Sequence, residues 1–102
     1  MEKYVCERAI HPGEVLKEEL EFRGITQKML AAQIDMPYKV LNDIVNEHRS
    51  LTPTTALLFE AALGISSELL MRMQLAYNMR SIKADTTFAM RLKKIREIAA
   101  VL

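Results

Sequence analysis

The side chains that could make or break bonds are few and scattered in this 102-residue chain, which has one cysteine, Cys6, and two histidines, His11 and His48. A lone thiol closes no intramolecular disulfide and completes no cysteine-based zinc spacing, which fits a reducing compartment. Neither histidine has the clustered partners that a metal ion needs. His11 stands before Pro12, Gly13 and Glu14 and reads instead as the start of a helix, with proline in the first turn and a carboxylate suited to the helix dipole. No Ser/His/Asp set, Cys/His pair or paired carboxylates stands out, so neither catalysis nor a cofactor is expected. Met71, Met73 and Met79 read as adaptable packing rather than as a binding groove.

With reactive chemistry set aside, recognition remains, and composition bounds the scaffold that presents it. Half of the residues are hydrophobic and 26% are charged, an ordinary balance for one folded domain with one core and far from the disordered range. The first ten residues carry charges where a signal peptide needs an apolar run. No stretch approaches the roughly 18 apolar residues of a membrane span, so a cytoplasmic protein with no membrane partner is expected. The formal net charge is only +1, but it is unevenly placed: seven Lys/Arg face nine Asp/Glu up to Ser50, and seven face four thereafter. Arg80, Lys83, Arg91, Lys93, Lys94 and Arg96 gather near the end.

Turn signals recur about every ten residues and no run of alternating β-branched residues interrupts them, so the class is all-α. The first helix is expected from His11 to Gly24 through Val15, Leu16 and Leu20, with Ile25 buried after it. Thr26 caps a short helix running from Gln27 to Ile34, whose Leu30, Ala31 and Ile34 recur at helical spacing. Pro37 restrains Met36 and opens a third helix, Tyr38 to about Asn46, which turns Leu41, Ile44 and Val45 inward. Thr52 and Pro53 start a fourth that stops at Gly64, and Ser66, Ser67 and Glu68 start a fifth that reaches about Arg80 through Leu69, Leu70, Met73 and Tyr77. A last helix begins near Asp85, with Phe88, Leu92, Ile95, Ala99 and Leu102 on one side. The expected layout is an extension over 1–9, a domain over 10–80 and a C-terminal helix over 81–102. That helix either pairs two copies, the preferred reading, or covers its own bundle.

From Gln27 to Ile44 the residues meet three requirements of a helix-turn-helix at fixed offsets. Ala31 is small enough for two helices to approach, Asp35 can take the left-handed geometry usually given to glycine, and Leu41 and Ile44 anchor the second helix. Other pieces accompany this pair: Ile10 to Glu14 with Leu16, Glu18 and Glu19; Leu41 to Asn46 followed by Arg49; Leu51 to Leu57; and Leu75 to Asn78. In these residues the chain resembles the Xre/Cro family of helix-turn-helix repressors, and more closely its HigA/VapI-type antitoxin branch.

The resemblance implies a five-helix, lambda-repressor-like helix-turn-helix domain with an additional C-terminal helix. It implies that Gln27 and Lys28 meet the phosphate backbone of double-stranded operator DNA, that Tyr38, Lys39 and Asp43 enter the major groove, and that Arg49 clamps a phosphate. Phosphate contacts supply affinity and base contacts supply choice. For Asp43 two roles stay open, accepting from cytosine or facing water. The partners implied are a second copy of the chain and a small toxin ribonuclease of the HigB/RelE kind, which the protein would silence while repressing the shared promoter.

The chain departs from the family at Pro37, where serine or threonine is common, at Asp35, where glycine is common, and at Glu47-His48, where Gly-Lys is common. Over Thr26 to Arg49 the cations Lys28, Lys39 and Arg49 are balanced by Asp35, Asp43 and Glu47. Acidic groups beside phosphates oppose binding, so weak affinity per monomer and reliance on dimerisation are expected. The same substitutions leave room for a protein-interaction module that has lost DNA binding, and a stand-alone regulator without a toxin is a further alternative.

Overall fold

Six α-helices make up the regular structure of the described residues, 9–101, in a computed structural model: α1 Pro12–Arg23, α2 Gln27–Gln33, α3 Tyr38–Val45, α4 Pro53–Leu63, α5 Ser67–Lys83 and α6 Thr86–Ala99. Cys6, most of the expected N-terminal extension and Leu102 lie outside the described residues.

The helix starts follow from local chemistry. Thr26 Oγ1 accepts from the Met29 amide at 3.1 Å, Thr52 Oγ1 from Thr55 at 3.3 Å and Ser66 Oγ from Leu69 at 3.2 Å. Asp85 Oδ1 takes the Thr87 and Phe88 amides at 2.9 and 3.2 Å. Each such bond satisfies a donor that the helix leaves open. Gly24 (φ 70°) and Gly64 (φ 75°) end α1 and α4 in the left-handed conformation, where a side chain would be strained.

The core is one cluster drawn from five helices and the loop after α3: Leu16 and Leu20, Leu30 and Ala31, Leu41, Ile44 and Val45, Leu51, Ala56, Phe59 and Leu63, and Leu70. Ile25, Ile34 and Met71 pack against it from its edge. Two polar side chains tie the cluster's rim. Gln74, only 2% exposed, accepts the Leu51 amide on Oε1 at 2.8 Å and donates to Asn78 Oδ1 at 3.0 Å, fastening the loop after α3 to α5. Arg23 donates to the Leu63 carbonyl at 2.5 Å and to Glu19 Oε2 at 2.6 Å, bracing the end of α4 against α1.

Three features differ from the sequence expectations. α5 continues past Arg80 to Lys83, because Arg80 and Lys83 suit the last turn and the turn ahead of the Asp85 cap is where the chain breaks. Leu69 and Met79 are exposed, so the inward stripe of α5 runs through Leu70 and Gln74. α6 buries no residue, and along it Leu92 alone is even half-buried. The radius of gyration, 17.2 Å, exceeds the roughly 13 Å of a rounded chain of this length, as a projecting helix requires.

Candidate nucleic-acid interface

α3 has two unlike sides. Leu41, Ile44 and Val45 are sealed in the core, which leaves the polar first turn, Tyr38 and Lys39, facing out. The turn before it is made by Asp35 at φ 56°, the left-handed conformation expected there. Aspartate tolerates it better than most residues because its short carboxylate can bond locally. Pro37 occupies the N-cap with no side-chain bond of its own.

Five of the six residues expected to contact DNA are linked to one another, as one pair and one triplet, and Gln27 is bonded to Asn42. Lys28 Nζ lies 5.8 Å from the centroid of the Tyr38 ring, at the outer range of a cation–π contact. Lys39 Nζ and Arg49 Nη2 approach the same atom, Asp43 Oδ2, at 3.5 and 3.8 Å. Gln27, at the first position of α2, accepts on Oε1 from Asn42 Nδ2 at 3.0 Å. Lys28, Tyr38, Lys39 and Arg49 are exposed, whereas Gln27 and Asp43 are half-buried. Exposed ion pairs of this kind are worth about 1 kcal/mol or less, so a phosphate can displace them.

Four residues that shape this face are not among the expected contacts. Asn42 bonds to Gln27 and to Asn46; the i, i+4 spacing of the two asparagines was its sequence signal. Gly13 lies against the last turn of α3: a Cβ there would sit 2.1 Å from the Ile44 carbonyl oxygen and 3.0 Å from that of Val45. No local pattern reports a contact across that sequence separation. Glu47 adopts φ 66°, and the family's glycine at this position was its signal. Glu47→Gly is expected to stabilise the fold by about 0.5–1 kcal/mol, since glycine takes this conformation freely. An unchanged denaturant midpoint would show that the loop carries no such strain.

His11 is the fourth. Its Nδ1 accepts from the Gly13 amide at 2.9 Å, and its ring meets Tyr77 edge-on with centroids 4.9 Å apart. Burial lowers its pKa below the ordinary 6.5, against upward pulls from the Glu47 carboxylate and a hydrogen bond with the Arg49 backbone. A group that takes up protons less readily when folded stabilises the native state above its unfolded pKa. That contribution is lost as pH falls below about 6.5 toward the lowered value. Urea midpoints are expected to drop between about pH 7 and 5.5 more steeply for the wild type than for His11→Asn, which keeps a capping oxygen but does not titrate. Parallel curves would remove His11 from the acid response.

A helix pair with its second member anchored from behind and polar at its outer tip defines a helix-turn-helix protein. The helix-turn-helix family model matches residues 16–70, and the virulence-associated protein I of Dichelobacter nodosus is 36% identical over 78 residues, 76% of this chain and 72% of its own. The chain belongs to the Xre-type helix-turn-helix family, in its HigA/VapI-like branch. Among solved structures, an addiction module antidote protein of the HigA family from Coxiella burnetii superposes with a TM-score of 0.74 at 32% identity, over 85% of this chain and 94% of that one. The Pseudomonas aeruginosa antitoxin HigA, solved with the higBA promoter, gives 0.70 at 30% identity over 88% and 94%. The five-helix domain with its additional C-terminal helix thus matches the fold of HigA antitoxin structures, and the protein is a DNA-binding regulator of antitoxin type.

Proposed function

We propose that the protein is a cytoplasmic, homodimeric repressor that lays two copies of α3 into successive major grooves of an inverted-repeat operator, about 34–36 Å apart. It is also the antitoxin of a HigB/RelE-like ribonuclease and represses the promoter they share. In this reading Gln27, Lys28 and Arg49 hold phosphates, and Tyr38, Lys39 and Asp43 face base edges. The observation that carries it is the outward first turn of α3 on a fold whose relative of 30% identity was solved with promoter DNA. Residues 10–80 form the reading domain, and the apolar side of α6, with Phe88, Leu92 and Ile95, pairs the two copies.

A gel-shift titration against the DNA upstream of its own gene tests the repressor half, and co-purification with the product of the adjacent reading frame tests the antitoxin half. No shift at low salt from folded protein would favour the interaction module, which Asp43 and Glu47 on this face would suit. For the dimer, Leu92→Glu with Ile95→Glu is expected to halve the mass in sedimentation without changing the melting of the core. A wild-type monomer at high concentration would refute it.

A further inference from the structure

Gln27, Asn42 and Asn46 form a chain of side-chain amides across the helix pair. Asn46 Nδ2 donates to Asn42 Oδ1 at 3.2 Å, and Asn42 Nδ2 donates to Gln27 Oε1 at 3.0 Å. The Gln27–Asn42 bond joins α2 to α3 and is part-buried, whereas Asn42–Asn46 runs along α3 at the surface. Gln27 and Asn42 each accept on their oxygen from the next amide along, so the series has a direction. Its free end at α2 is Gln27 Nε2, a pair of N–H donors, and donors are what a phosphate oxygen requires.

From this we infer that Asn42 is a positioning residue for DNA binding: by occupying the Gln27 oxygen it turns the Gln27 amide so that its NH2 group faces the phosphate backbone. This rests on the DNA-binding reading above and deepens it. A glutamine without that constraint presents oxygen or nitrogen alike, and the oxygen repels a phosphate. Aspartate at 42 has no N–H to donate and would draw the Gln27 NH2 inward, leaving the oxygen outermost. The reversal is specific to side-chain polarity, because aspartate and asparagine have the same shape.

The test is a double-mutant cycle read by fluorescence anisotropy on a labelled 30-base-pair duplex of mixed sequence at low salt, where phosphate contacts dominate. Gln27→Ala is expected to weaken binding roughly ten- to a hundredfold, the range for a hydrogen bond to a charged group. Asn42→Ala should lose several-fold, and Asn42→Asp more. In the Gln27→Ala background, Asn42→Ala should lose almost nothing further, and Asn42→Asp only the share due to its added charge. Because the amides are neutral, Asn42→Ala should leave the salt slope unchanged, which separates it from loss of a cation. Thermal melts establish that each variant is folded. Equal losses from Asn42→Ala with and without Gln27, or none in either, would overturn the inference while leaving DNA binding intact. Failure of the folded wild type to bind the duplex would overturn both.

Discussion

Gly13→Ala is expected to cost about 3 kcal/mol or more, lowering the melting temperature by roughly 12–24 °C in a domain of this size. The added methyl would lie 2.1 Å from the Ile44 carbonyl oxygen, a distance at which something must move. Neither side can yield cheaply. α1 is held at this end by the His11 cap and the edge of the Tyr77 ring, and the backbone it would strike carries the buried side chains of Ile44 and Val45. The close approach has an electrostatic reason as well, because the positive start of α1 meets the negative end of α3. Gly24→Ala provides the control. Gly24 sits at φ 70° with nothing within 4 Å of a built Cβ, so only about 1 kcal/mol of backbone strain is expected. Similar small losses at both positions would mean that α1 does not set the placement of α3. If it does, Gly13→Ala should also lose DNA binding beyond its unfolded fraction, because α3 is the element displaced.

Asp43→Asn is expected to tighten binding to DNA of arbitrary sequence about tenfold at low salt. It should also steepen the salt dependence, each freed cation adding about 0.9 to the slope. In the free protein a single carboxylate oxygen engages both Lys39 and Arg49. Removing its charge releases two cations toward phosphates and removes a repulsion. Arg49→Ala should act in the opposite sense, weakening binding and lowering the slope by about one. If Asp43 also accepts from cytosine in the operator, Asp43→Asn would narrow the ratio of operator to non-specific affinity from both ends. An unchanged slope in Asp43→Asn would show that the pairs with Lys39 and Arg49 do not persist in solution.

What the sequence disclosed and what it hid divide by distance along the chain. Thr26, Thr52, Ser66 and Asp85 announce helix starts because a cap bonds two or three residues ahead, within any reader's window. Asp35 could be placed in a left-handed turn because it stands at the helix-turn-helix turn position where glycine is usual, and aspartate tolerates that geometry. Gln74 could not be foreseen as the partner of the Leu51 amide, 23 residues away, nor Arg23 as that of the Leu63 carbonyl, 40 away. Such bonds depend on how helices dock, and no periodicity encodes that. The residues proposed to contact DNA were legible as types in a motif, but their pairing was not. Lys39 and Asp43 stand four apart on a helix and could have been paired in advance, whereas Arg49 joins them only because the chain turns at Glu47.

The bare flank of α6 bears on how long that helix lasts in dilute solution. Fourteen residues with no buried member fall in the range where an isolated helix is marginal in water, and the Asp85 cap offsets only part of the deficit. Backbone amides from Thr86 to Ala99 should therefore exchange with deuterated solvent far sooner than those of α1 to α5, opening without the rest of the molecule. Their protection should rise as protein concentration is increased, making the order of this segment a gauge of how many molecules have found company.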